Sequence, residues 1–100
     1  MATWADIGAG EGTFTRALVE LLEPHSRIYA VDRDSRAVAG LQRIGERRAV
    51  NVIPVTADFT RPFELPGLDQ GLDGILLANA LHFVRNPDVV LARLAARVRP

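Results

Sequence analysis

Four short stretches of this chain are apolar on successive residues: Thr3 to Ile7, Ile28 to Val31, Val52 to Val55 and Ile75 to Ala78. None shows the apolar-polar alternation of a sheet with one wet face, and strands buried on both faces have this continuous form. Between them the period becomes helical. Phe14, Leu18, Leu21 and Leu22 share one helical face, Val38, Leu41 and Ile44 a second, and Val90, Leu91, Leu94 and Val98 a third. Each stripe is expected to pack on the sheet. Boundary signals agree with these positions. Pro24 closes the first helix, Asp34 or Ser35 caps the second, and Asn86, Pro87 and Asp88 supply a cap, a first-turn proline and an acid favoured by the helix dipole. Phe59 to Gly71, with Pro62, Pro66 and Gly67, reads as an irregular crossover with at most one helical turn.

The order is therefore βαβαβ, a loop, then βα, which implies an α/β, three-layer, doubly wound parallel sheet with right-handed crossovers. Pro54 lies inside the third strand, and a strand proline is tolerated at a sheet edge rather than its centre. Such sheets bind ligands beyond the carboxyl ends of their strands. Here those ends read Asp6-Ile7-Gly8-Ala9-Gly10-Glu11-Gly12, Val31-Asp32, Ala57-Asp58-Phe59 and Ala78-Asn79, so an acid or amide closes every strand.

Composition narrows the function classes. With 100 residues the chain holds one domain, and 12 cations against 12 anions give zero net charge. A domain that binds by neutralising many phosphates is disfavoured by that balance. All the cations are arginine, and Arg33, Arg36, Arg43, Arg47 and Arg48 crowd one stretch that reads as a solvated helix face. Nucleic acid is therefore not an expected partner. Without cysteine there is no disulfide or thiolate metal site, and two distant histidines argue against structural zinc, so no metal is expected. The longest uncharged apolar run, Gly74 to Leu81, is far short of the roughly 20 residues of a membrane span. No basic-then-apolar leader opens the sequence, and the expectation is a cytoplasmic, unanchored protein.

A glycine loop between first strand and first helix lets a ligand touch backbone, because no Cβ intervenes and positive φ is accessible. The spacing Gly8, Gly10, Gly12 is one residue tighter than the dinucleotide fingerprint, whose third glycine would fall at Thr13. Asp6 and Glu11 beside the loop would repel a pyrophosphate and attract a ligand carrying positive charge. Asp32 follows the last loop glycine by about 20 residues, where a carboxylate can accept both hydroxyls of a ribose. Asp58 can accept from an exocyclic amine, and Phe59 can stack on a base. Trp4 and Tyr29, inside strands, read as core, and His25, between Pro24 and Ser26, as a solvated turn residue.

These segments, with Tyr29-Ala30-Val31-Asp32 and Leu72-Asp73-Gly74-Ile75-Leu76-Leu77-Ala78-Asn79-Ala80-Leu81-His82-Phe83, resemble the class I S-adenosylmethionine-dependent methyltransferases in order and spacing along nearly the whole chain. The resemblance implies a Rossmann-like sheet in the order 3-2-1-4 for the four strands present. It places Gly8, Ala9, Gly10 and Gly12 in the loop under the methionine part of S-adenosyl-L-methionine, and Asp6 at its ammonium. Asp32 would hold the ribose diol with Arg33 beside it, Asp58 and Phe59 would face the adenine, and Ala78 and Asn79 would line the sulfonium and acceptor side. His82 is the candidate base, needed only where the acceptor must lose a proton. The ligand chemistry fits independently: this cofactor carries a sulfonium, an ammonium and a diol, and no phosphate.

The family sheet has seven strands, and Arg97-Val98-Arg99-Pro100 resembles the helix end before the fifth. Residues 1–100 are accordingly expected to be a single partial domain, the cofactor-binding core, truncated before that strand. The family order makes the fourth strand the second edge, and its uncharged Ile75-Leu76-Leu77 predicts self-association. The expected activity is methyl transfer to a small-molecule acceptor. Asn79-Ala80-Leu81-His82 lacks the Pro-Pro-aromatic segment of amino-methylating relatives. Two rivals stand: a non-catalytic module or structural piece that keeps the pocket, and an NAD-type oxidoreductase domain in which Arg33 would anchor a 2′-phosphate. The glycine spacing and flanking acids oppose the latter.

Overall fold

The computed structural model describes residues 1–78, 80 and 84–100. In chain order the elements are β1 (Thr3–Ile7), α1 (Thr13–Leu21), β2 (Arg27–Asp32), α2 (Ser35–Val38), a 3₁₀ helix (Leu41–Arg48), β3 (Asn51–Thr56), β4 (Gly74–Leu76) and α3 (Pro87–Ala95). The strands form one parallel sheet in the order β3-β2-β1-β4, as the family resemblance implies. Pro54 does lie on an edge strand, opposite Ala30 of β2. Ile7 pairs with Val31 and Asp32 with Thr56, so the segments after β1, β2 and β3 leave the sheet at the same end.

Continuous apolar strands give the sheet two buried faces. Ala5, Ile7, Tyr29 and Val31 point into one cluster, closed by Val90 and Leu94 of α3 and by Leu65 of the long crossover. Ile28, Ala30 and Val52 point into the other, closed by Leu18 and Val19 of α1 and by Val38 and Leu41. Tyr29 is core, as expected, and its hydroxyl donates to the Pro66 carbonyl at 2.5 Å, which pins the crossover to the sheet. Trp4 is half-buried against the α1 side, and His25 is an exposed turn residue at φ 71°.

Several details differ from the sequence reading. On α1 the buried residues are Thr15, Leu18 and Val19, while Phe14 and Leu21 are 42% and 80% exposed. At about 100° per residue the latter two lie roughly a quarter turn from the centre of that buried face. Leu91 of α3 is 39% exposed for the same kind of reason. The second helix is not continuous: four α-helical residues capped by the Asp34 side chain, which accepts from the Arg36 N–H, give way to the 3₁₀ helix. Val38, Leu41 and Ile44 are spaced by three, the period at which 3₁₀ side chains align. Asn86 occupies the position before α3 without a side-chain cap, although Pro87 and Asp88 sit in the first turn as expected. Val98 is not on α3; it forms a parallel bridge with Leu72, supported by hydrogen bonds of Leu72 to Arg97 and Arg99. β4 starts one residue earlier and ends two residues sooner than Ile75 to Ala78.

Among the described residues no helix is long and apolar enough to cross a membrane. No group of three or more metal-ligating side chains is found among them either.

Candidate functional site

The loop after β1 is fixed from below. The carbonyl of Val31 accepts from the N–H groups of both Gly8 and Ala9, at 2.8 and 2.9 Å, which seats the start of the loop over the end of β2. Its glycines then diverge in role. Gly12, at φ 91°, is the residue before α1, and a Cβ there would come within 2.5 Å of Leu41 Cδ2. Gly10, at φ 55°, has nothing within 4 Å of the place a Cβ would occupy. The left-handed backbone entering α1 thus favours glycine at Gly12, where a Cβ would also displace the Leu41 side-chain end, whereas Gly10 presents bare backbone to open space. Ala9 is buried in the α1-side core, and Gly8 lies against Ala80, whose Cβ is 3.2 Å from the position of a Cβ at Gly8.

Asp32 joins two strand ends. Its Oδ2 accepts from the Gly10 N–H and its Oδ1 from the Asp34 N–H, both at 2.9 Å. An ionised carboxylate has about four acceptor sites, so each oxygen keeps one for a ligand. Asp6, one residue from the end of β1, is 2% exposed, and its Oδ2 accepts from the buried Thr15 hydroxyl at 2.6 Å. Burial pushes the Asp6 carboxyl above its ordinary value; the Thr15 hydrogen bond opposes that rise and the Asp32 charge adds to it. The structure therefore puts Asp6 beneath the loop, where it ties α1 to β1.

Asp58 behaves differently. Its Oδ1 accepts from the Thr60 hydroxyl at 2.5 Å and the Thr60 N–H at 3.0 Å, a local turn that orients the exposed carboxylate. These hydrogen bonds hold the carboxyl below its ordinary value, with smaller help from Arg61 and Arg33. Phe59 is half-buried and packs against the α3-side core.

A cavity of about 190 Å³ gathers four residues singled out from the sequence, Asp32, Arg33, Asp58 and Phe59, with Thr60, Ala80 and Val84. That is below the roughly 300 Å³ at which pockets for drug-sized ligands begin, and so suits one part of a larger molecule. Gly10 and Glu11 instead border a neighbouring groove of about 550 Å³, linked to the cavity through the bond from Gly10 to Asp32. Asp6, Gly8, Ala9, Gly12 and half-buried Ala78 line neither space. Asn79 and His82 lie outside the described residues. Sequence reading missed Thr60, Ala80 and Val84; of these only Thr60 left a signal, an Asp-x-Thr turn. The carboxylates of Asp32 and Asp58 and the Arg33 guanidinium thus border one cavity, with bare Gly10 backbone beside it.

A parallel 3-2-1-4 sheet with carboxylates and a glycine loop at its strand ends has the class I S-adenosylmethionine-dependent methyltransferase fold. The structure matches the crystal structure of a Clostridium thermocellum protein assigned as an rRNA methylase, with a TM-score of 0.66 at 14% sequence identity. The match covers 97% of this chain and 57% of that one, so the chain spans a little over half that protein's length. Residues 5–100 match the family model described as a methyltransferase domain. The chain belongs to that family, whose general chemistry is methyl transfer.

Proposed function

We propose that residues 1–100 form the cofactor-binding part of an S-adenosyl-L-methionine-dependent methyltransferase that acts on a small-molecule acceptor in the cytoplasm. The observation that carries the reading is Asp32, which holds the Gly10 backbone while keeping one acceptor site on each oxygen. Those two sites suit the two hydroxyls of a ribose. Phe59 and Asp58, across the cavity, offer a face for the adenine and an acceptor for its amine. Arg33 borders the same cavity. Gly10, with Gly8 and Ala9 before it, would give the methionine part room against backbone, and Ala78 with Asn79 would line the acceptor side. Asp6 acts from beneath: its buried carboxylate favours a positive ligand without touching it. Gly12 contributes by setting the turn into α1.

When bound, this cofactor would supply a methyl carbon activated by its sulfonium toward an acceptor lone pair. The chain's own work is then alignment and electrostatics, with His82 as the base where the acceptor must lose a proton. Zero net charge supports a small acceptor over a long nucleic acid. The outer edge of β4 is unpaired among the described residues, which supports self-association of the 100-residue chain.

Calorimetric titration with S-adenosylmethionine tests the cofactor reading, with NADH as comparison and Asp32→Ala as site control. Saturable binding that is lost in the variant and absent for NADH is expected. Binding of NADH in place of the sulfonium compound would replace the reading with the oxidoreductase one. A folded chain that binds neither would refute a cofactor site complete within these residues. Light scattering that shows only monomer at high concentration would refute the β4 contact.

A further inference from the structure

A second groove, of about 480 Å³, opens beside the cavity between the end of β3 and the start of α3. Arg33, Arg85 and Arg93 reach it from three segments, the β2 end, the loop before α3 and α3 itself. Among the described residues, none of these three guanidiniums has a carboxylate within ion-pair distance, whereas Arg48 and Arg99 elsewhere do. Arg93 is held in place: its Nη1 donates to the Thr60 carbonyl at 2.9 Å, which leaves its other N–H groups free for a ligand. Asp58 also borders the groove, oriented by Thr60, and sets one negative charge against the three guanidiniums. Asn86 borders it too.

We propose that this groove is an oxyanion site that binds the phosphate group of a phosphorylated ligand beside the nucleoside cavity. Planar guanidinium forks converging from different elements suit a phosphate monoester, which offers several oxygens and up to two charges. A single guanidinium would serve a monoanion. Three without carboxylate partners, with one positioned by a backbone carbonyl, place like charges together at a cost that an anion relieves. The groove shares Arg33 and Asp58 with the cavity, but Arg85 and Arg93 border the groove and not the cavity, and its anion chemistry uses no part of the sulfonium cofactor.

The test is a titration of the 100-residue chain with inorganic phosphate in the absence of any nucleoside, followed by amide NMR and repeated at raised sodium chloride. Saturable shifts centred on Thr60, Val89 and Arg93, weakened by salt, are expected. Arg85→Gln/Arg93→Gln should weaken binding about tenfold, the loss of one to two charge-assisted hydrogen bonds. Arg43→Gln/Arg47→Gln, at exposed positions away from the groove, should leave it unchanged. If the double variant fails to fold, Arg85→Gln alone serves, since this exposed side chain makes no hydrogen bond among the described residues. Unsaturable shifts, shifts spread evenly over the arginines, or equal binding by the groove variant would overturn the site. A chain that binds a single-stranded oligoribonucleotide but not phosphate would overturn the monoester assignment. Because no cofactor is present, failure here leaves the methyltransferase reading untouched, and failure of that reading leaves this groove.

Discussion

Asp32 and Asp58 close neighbouring strands and face the same cavity, yet the chain uses them in opposite ways. Asp32 accepts from Gly10, 22 residues away, so its carboxylate fixes the glycine loop over the sheet as well as facing the cavity. Among the described residues the Asp58 carboxylate accepts only from Thr60, two residues on. One acid connects parts of the site, and the other orients only itself. A side chain with a long-range tie carries two losses when removed, one of contact and one of geometry, whereas a locally satisfied side chain loses contact alone.

The sharpest break in that comparison is Asp32→Ala. It removes two ligand acceptor sites and releases the Gly10 N–H, and S-adenosylmethionine binding is expected to weaken about a hundredfold or more, from two or more charge-assisted bonds. Calorimetry reads this directly. Asp58→Ala should cost about tenfold or less, with little change in melting temperature, because one contact is lost and Thr60 is exposed to water. Equal effects from the two variants would remove the distinction.

A second pair, Gly12 and Gly10, separates stability from binding within one loop. Gly12→Ala forces a side chain into the left-handed region and against Leu41, and should destabilise the fold by about 2–4 kcal/mol. Gly10→Ala meets open space and should cost only about 1 kcal/mol of backbone strain. Its methyl group would nevertheless stand where the ligand is proposed to approach. Chemical denaturation should therefore single out Gly12→Ala, and ligand titration of the folded variants should single out Gly10→Ala.

The parallel sheet was legible because continuous apolar strands alternate with helical stripes, while its strand order came from the family resemblance, with Pro54 at an edge as a check. Asp32 was legible for a related reason, since its position after β2 is set by topology. What escaped depended on third partners. The stripe of Phe14 and Leu21 looked like core because a helical face can be recognised from one helix, whereas its centre depends on where the sheet lies. Val38, Leu41 and Ile44 carried a three-residue period that a longer α-helix pattern obscured. Val98 left α3 to pair with Leu72, a contact that no local pattern announces. Ala80 and Val84 also line the cavity, and their apolar side chains have no chemistry to mark them.

The smallest expected effect concerns Asp6 and sharpens the comparison from below. Asp6 is the acid that the fold buries, and burial, reinforced by Asp32, raises its carboxyl above the ordinary 3.8. A raised folded-state value means that the contribution of Asp6 to stability is fully present below the unfolded value and is lost as pH rises through the folded one. At pH 7, above the unfolded value, the raised carboxyl therefore costs the fold stability. Asp6→Asn keeps an oxygen able to accept from the Thr15 hydroxyl and removes the charge. Its melting temperature should exceed the parent's at pH 7, and the gap should close as pH falls toward 3.8. A cationic ligand favours the charged form of Asp6, which attracts a sulfonium and an ammonium. Added S-adenosylmethionine should thus raise the parent's melting temperature more than the variant's at pH 7. A variant that melts below the parent at every pH would show instead that Asp6 serves packing alone, and that the charge facing the ligand comes from Asp32.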